Sequence, residues 1–410
     1  MRAAAAVLTI LICAGGCAAL EGGKELTLNL DYFDIAIGTD CWDLSDNAGE
    51  MDRLMAIAAH YGVDRVLFRV SICGVEAYRS KAMYAANERA FESYVGRELL
   101  DGGVGNIPSY IPRMAQVMAD IDPLAECIKA GHKYGMKVWA WATVYDSMYY
   151  APPDEFFQAH PEYTWVSRDG TKHVPGVPCY AYPEVRQYRL NQMKEMLEYG
   201  PDGIYLSMRS HSPWPYRNQG MGVAEDCGSR GYGYNEPVVA EYIRRYGKDP
   251  REVPWDSVDA LRFVQLKGEF YQTWLAQVHE LTQAAGVGLA MNTDLNAADP
   301  VAAAWMHIPA DNIARDHTVD ELCVLAGAGQ NMNRWRVLAG GGIKMTTFTG
   351  IHSKEPAKSR EAWRRGLRDM LTNPTTDGAC FHEFANVYYY NMWHDIADVV
   401  REVAAGADAP

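Results

Sequence analysis

"PEVRQYRLNQMKEMLEYGPDGIYLSMRSHS", residues 183–212, holds one full period of the pattern that decides the fold. Its first part opens on Pro183 and stops at Gly200, the punctuation of a helix. After Asp202 the period changes to two. Ile204, Leu206 and Met208 fall on one face of a strand, and Tyr205, Ser207, Arg209 and His211 fall on the other. The apolar face needs a cover of helices, while the polar face ends in groups that do chemistry.

The same alternation runs along the chain. Strands are predicted at 33–40, 64–71, 136–146, 202–210, 287–294, 320–326, 342–350 and 377–384, with helical patterns between them. The helices at 122–135, 183–200 and 257–286 each stop at a glycine. The stretch 298–319 has a poor helical pattern, so the sixth unit is the least regular. Strands that alternate with helices in this way predict a (β/α)8 TIM barrel with long βα loops. No linker divides the chain, so one domain is expected over residues 25–405. The long connections 72–120, 147–182 and 211–234 all follow strand ends. They would gather on the C-terminal face, where such barrels build their sites.

If the bulky apolar face of each strand meets the helices, the other face points into the barrel. The second strand then sends Leu67, Arg69 and Ser71 inward, the fourth Tyr205, Ser207 and Arg209, and the fifth Ala290, Asn292 and Asp294. The first strand would send Ala36, Gly38 and Asp40 inward. Strands three, seven and eight are ambiguous by this test. Charges inside a barrel are costly unless paired or functional. Asp40–Arg69 and Arg209–Asp294 could be purely structural ion pairs, but charge at this end of a barrel usually belongs to a site.

The chain has 410 residues and a formal net charge of −14. That charge argues against non-specific nucleic-acid binding, which needs a basic face. Residues 1–19 read as an export leader, with Arg2 before the apolar run "AAAAVLTILICA". Two cleavage readings stay open. "AGGC" (14–17) resembles a lipoprotein box that would leave Cys17 lipidated and membrane-attached, and "CAA" (17–19) fits an ordinary signal peptidase. Either one sends the protein to the periplasm or outside the cell. The cysteines beyond Cys17 are 41, 73, 127, 179, 227, 323 and 380, and none forms a CxxC pair. A Cys41–Cys73 disulfide and separate buried thiols remain alternatives.

"DIDPLAECIKAGHKYGMKVWAWATVYDS" (120–147), "HPEYTWVSRDG" (160–170), "YPEVRQYRLNQMKEMLEYGPDGIYLS" (182–207) and "YIRRYGKDP" (242–250) occur in an order and spacing similar to the family-10-like glycosyl hydrolases, a bacterial TIM-barrel family. The resemblance covers about residues 33–385. It implies an exported (β/α)8 barrel acting on glycosidic bonds of a polysaccharide or oligosaccharide. One departure matters: the family reads "DGIxxD" on its fourth strand, the second Asp being its catalytic carboxylate, and here that place holds Ser207. Asp202 matches the first Asp, but it stands at the strand's start, far from the mouth, and reads as structural.

Glycoside hydrolysis uses two carboxyl groups flanking the bond. The replacements on offer are Asp40, Asp146, Asp294 and Glu383, each at a strand's C-terminal end. Glu383 is read as the acid/base and Asp294 as the second carboxylate. Arg209 and Arg69 suggest an anionic sugar, because a guanidinium fork matches a carboxylate or sulfate. His211 is a candidate proton carrier. Ser207, Asn292, Asp40 and Asp146 are left to bind substrate. Tyr145 and Trp214 are the expected sugar platforms among many loop aromatics. No cofactor or metal is implied, and the scattered histidines give no ligand cluster. A carbohydrate-binding barrel without catalysis is the competing reading, on the evidence of Ser207.

Overall fold

Eight strands pair in parallel with their neighbours, and the last returns to the first, so the sheet closes on itself. The structure is a computed structural model that describes residues 23–31, 42–72, 75–81, 107–145, 155–208, 228–293, 301, 306–325, 329–350, 356–382 and 384–406. The barrel strands are β1 (Glu25–Leu30), β2 (Arg65–Arg69), β3 (Lys137–Thr143), β4 (Gly203–Ser207), β5 (Gly288–Thr293), β6 (Glu321–Leu325), β7 (Lys344–Gly350) and β8 (Gly378–His382). The helices that follow them are α1 (Asn47–His60), α2 (Pro123–Lys133), α3 (Pro183–Glu198), α4 (Val258–Ala285), α5 (Ala310–Asp316), α6 (Gly329–Ala339), α7 (Pro356–Thr372) and α8 (Trp393–Ala404). The chain is therefore a (β/α)8 barrel, and the shortest of these eight helices, α5, lies in the stretch with the poor helical pattern.

Strands two to eight lie within the predicted runs. The first does not. It is "ELTLNL", with Leu26, Leu28 and Leu30 against the helices, and residues 33–40 lie outside the described residues. Both runs alternate, so periodicity could not choose between them. Pairing chooses: Thr27 sits beside Arg65 of β2 and Cys380 of β8.

Alternation otherwise holds. Val66, Phe68 and Val70, Ile204, Leu206 and Met208, and Leu289 and Met291 join the core between sheet and helices. The ambiguous third strand resolves with Val138, Ala140 and Ala142 outside and Trp139 and Trp141 inside.

Because the strands tilt, alternate strands fill alternate layers of the interior. Register gives these layers from the N-terminal end upward. The lowest holds Glu25, Lys137, Gly288 and Lys344. Next come Arg65, Gly203, Glu321 and Gly378; then Thr27, Trp139, Ala290 and Thr346. Leu67, Tyr205, Cys323 and Cys380 follow, and then Asn29, Trp141, Asn292 and Phe348.

The second of these layers carries a buried ion pair across the barrel. Arg65 donates to both carboxylate oxygens of Glu321 at 2.7 Å, and each residue is 1% exposed. Thr27 accepts from Arg65 Nε and Thr346 donates to Glu321, which completes the pair. The guanidinium lies over the Trp139 ring, 4.6 Å from its centroid. Trp139 in turn needs Gly203, where an added Cβ would lie 2.4 Å from its ring.

The N-terminal rim is stitched by four aspartates, each one residue before an even-numbered strand. The Oδ2 atoms of Asp64, Asp202 and Asp320 accept the backbone N–H of Leu26, Val138 and Leu289 at 2.8 Å, and Asp377 Oδ2 accepts that of Met345 at 2.7 Å. The backbone N–H of each aspartate bonds back to the same residue's carbonyl. Its carbonyl takes the first N–H of the next odd strand: Lys137, Gly288, Lys344 and, closing the ring, Glu25. Asp202 is thus structural, as its place at the strand's start implied.

Two stability predictions follow from the layers. Gly203→Ala forces a methyl into the Trp139 ring and should cost about 1–3 kcal/mol in urea unfolding. Glu321→Gln leaves Arg65 buried without its partner, at a cost of about 3–5 kcal/mol, whereas replacing both residues by methionine should come close to neutral. Burial alone would raise the Glu321 carboxyl, but the charge and hydrogen bonds of Arg65 outweigh it and hold it at about 2, below the ordinary 4.5. Its folded pKa is depressed, so its contribution is full above about 4.5 and falls away as the pH drops toward about 2. Unfolding the wild type and the double-methionine variant at pH 7 and pH 3 reads that difference.

Candidate active site

Above the apolar layer of Leu67, Tyr205, Cys323 and Cys380 the barrel interior turns polar. Asn29 bridges the change: its Oδ1 takes the Cys380 thiol at 3.1 Å, and its side chain bonds the Tyr205 phenol. Higher still, at the C-terminal ends of the strands, come Arg69 and Ser207, then Asp31 and Thr143, then Ser71.

Arg69 is held from three sides. Its Nη1 meets Asp31 Oδ2 at 2.5 Å, its Nε donates to the Ser71 carbonyl at 3.1 Å, and its guanidinium stacks 5.0 Å from the Trp141 ring centroid. Asp31 is 2% exposed and Arg69 4%, so this charge pair is desolvated. The Ser71 and Thr143 hydroxyls lie 3.3 Å apart. Ser207 is buried and faces the interior, and its carbonyl accepts the Val144 N–H at 3.1 Å. Hydroxyls, an amide and a fixed ion pair therefore crown an apolar interior. Hydroxyl and amide groups are the partners that a polyhydroxylated ligand would hydrogen-bond.

Several expectations change. Arg69 pairs with Asp31, a carboxylate the sequence did not single out because β1 is the earlier of the two alternating runs; the expected partner Asp40 lies outside the described residues. Asp31 is the next inward position after Glu25, Thr27 and Asn29, so the alternation of 25–30 carries the signal that finds it. Since Asp31 matches its charge, Arg69 is not a second cationic arm for an anionic sugar. Tyr145 is not a sugar platform. It is 2% exposed, packed against Trp165, Tyr180 and Tyr271 at centroid distances of 5.9, 5.3 and 5.7 Å. Burial pushes its phenol well above the ordinary value. Asn292 turns its Oδ1 to the Met208 N–H at 2.7 Å and so holds the exit of β4.

Glu383, Asp294, Arg209, His211, Trp214, Asp40 and Asp146 lie outside the described residues, as do Cys17, Cys41, Cys73 and Cys227. Cys127, Cys179, Cys323 and Cys380 are free and buried. A further carboxylate that the sequence did not single out is Glu76, 3% exposed, paired across a small hairpin from Ser71. It sits in the long connection after β2, where no periodicity marks a residue as buried. Among the described residues no group of three or more His, Cys, Asp or Glu could hold a metal ion.

No family model matches the chain, and no curated protein matches it. Among solved structures it is similar to a β-N-acetylhexosaminidase from Bacteroides fragilis NCTC 9343, with 11% identity, a TM-score of 0.48, and coverage of 91% of this chain and 65% of that one. It is also similar to Dispersin B, with 9% identity, a TM-score of 0.45, and coverage of 93% and 98%. A noncanonic maltogenic α-amylase from Thermotoga neapolitana gives 12% identity, a TM-score of 0.45, and coverage of 93% and 76%. The closed eight-stranded sheet itself, rather than these likenesses, establishes the barrel.

The pairing of Arg69 is directly testable. Asp31→Asn leaves a buried guanidinium without its carboxylate and should cost about 3–5 kcal/mol in urea unfolding. A loss within about 0.5 kcal/mol, the range of an ordinary surface substitution, would show that Asp31 is not the carboxylate on which the buried guanidinium depends.

Proposed function

We propose that this chain is an exported glycoside-hydrolase-type barrel that acts on a polysaccharide or oligosaccharide. The observation that supports it most is the polar crown of Asp31, Arg69, Ser71, Thr143, Ser207 and Asn292 at the C-terminal ends of the strands. That end of a (β/α)8 barrel is where catalytic residues gather. In this reading Glu383, next after β8, protonates the leaving oxygen, and Asp294, next after β5, is the second carboxylate. Their separation would set the outcome: about 5–5.5 Å for retention and about 6.5–9.5 Å for inversion. An anionic sugar remains part of the proposal through Arg209 alone. The leader sends the protein to the periplasm or outside the cell, with membrane attachment if Cys17 is lipidated.

A second reading is favoured by one observation. Ser207 is buried and inward where the resembled family carries its carboxylate, and a serine cannot stabilise an oxocarbenium-like centre. The barrel would then bind carbohydrate without cleaving it.

Turnover on a panel of neutral and uronate-containing oligosaccharides separates the two. Under the hydrolase reading, Glu383→Gln and Asp294→Asn each lower kcat by at least about 100-fold, the lower bound for loss of a general acid or base. Binding without turnover, unchanged by either substitution, establishes the inactive barrel instead. Arg209→Ala should weaken only the uronate ligands; an equal effect on both classes removes the anionic-substrate proposal.

A further inference from the structure

The connection after β4 carries Arg209, His211 and Trp214 in its sequence, and both of its described ends are held by side chains from the barrel body. At the exit, Asn292 of β5 accepts the Met208 N–H at 2.7 Å. At the return, residues 228–235 meet Lys267 of α4. Its Nζ donates to the carbonyls of Ser229 and Tyr232, the latter at 2.6 Å.

Lys267 is 6% exposed, and no carboxylate among the described residues pairs with it. The Trp165 and Phe263 rings flank the amine, each 4.7 Å away at its centroid. Burial pulls its pKa well below the ordinary 10.5. A lysine in such a place is expensive unless its donors are used. A glycine makes the approach possible: Gly233 has φ of 88°, and a Cβ there would lie 2.6 Å from Lys267 Cδ.

What the amine holds is itself a joint. The Gly233 and Tyr234 N–H groups donate to the Val166 carbonyl at 2.8 and 3.1 Å. The Asn235 amide donates to the Thr164 carbonyl at 2.8 Å. The return limb is thereby docked on the hairpin of residues 164–166 and 173–178, which belongs to the connection after β3.

We propose that Lys267 is a positioning residue of the barrel mouth, fixing the return limb of the β4 connection to the β3 hairpin while Asn292 fixes its exit. Its effect on ligand binding rests on the carbohydrate reading above; its effect on the joint does not. Lys267→Met keeps the length of the side chain and removes its donors. Amide exchange at Gly233 and Tyr234 should then speed up at least tenfold, with the amides of β3 and β4 unchanged. Affinity for tetragalacturonate should fall about tenfold, while affinity for the neutral xylotetraose and chitotetraose should be unchanged. That fall should vanish in an Arg209→Ala background, because the lysine acts through the connection that carries Arg209. Lys267→Gln, a neutral donor, should recover part of the protection, and it stands in should the methionine variant fail to fold.

Unchanged exchange at Gly233 and Tyr234 in a folded variant overturns the proposal. So does an affinity loss of equal size in both backgrounds. If the wild type binds none of the three sugars, the carbohydrate reading fails while the exchange result still decides the role of Lys267.

Discussion

The N-terminal rim of this barrel depends on one repeated hydrogen bond: an aspartate carboxylate, one residue before each even strand, receiving a backbone N–H from the odd strand beside it. A parallel strand at a barrel's bottom presents N–H groups that must be satisfied. A carboxylate does this with a charge-assisted bond. The aspartate's own N–H and carbonyl then reach the strands on either side, so each of the four residues ties three strands together. Register is set by this rim, and a slip of one residue would turn every side chain to the opposite face. The inward positions higher up, from Arg65 to Asp31, inherit their placement from it.

The interior above the rim is neither uniformly apolar nor loosely filled. Two tryptophans on β3 occupy the volume, with glycines on β4 and β5 giving way to the lower one. The Arg65–Glu321 pair spans the barrel, fully hydrogen-bonded and stacked on that same ring. A second pair, Asp31–Arg69, stacks on the upper tryptophan. The two arginines lie four residues apart on β2, each on its own ring. One is enclosed at the bottom; the other stands in the polar crown. The same arrangement thus serves stability at one end and the candidate site at the other.

Much of this was legible in the sequence. Strand-like runs between helical patterns located seven strands, four of them opening on an aspartate, and the two-residue period correctly sent Leu67, Tyr205, Ser207 and Asn292 inward. The first strand was missed because two alternating runs stand close together, and the choice lies in the Asp64–Leu26 bond between separate segments. The third strand was ambiguous because its inward tryptophans are as apolar as its outward face. Tyr145 looked like a loop ring; its burial is created by Trp165, Tyr180 and Tyr271, which no local pattern connects to it. Lys267 did leave a trace. It stands in the apolar stripe of α4 with Ala260, Val264, Tyr271, Trp274 and Val278, where a solvated lysine would not belong.

The ring of aspartates also constrains the order in which the protein can be made. Asp377 holds the first amide of β1 and precedes the last strand, so this seam stays open until nearly the whole chain has been synthesised. Arg65 likewise waits for Glu321, 256 residues further on. A nascent chain lacking β8 leaves the edges of β1 and β7 unpaired. Such an intermediate invites pairing with other chains. Truncation just before residue 377 should therefore yield an aggregating fragment rather than a smaller stable protein.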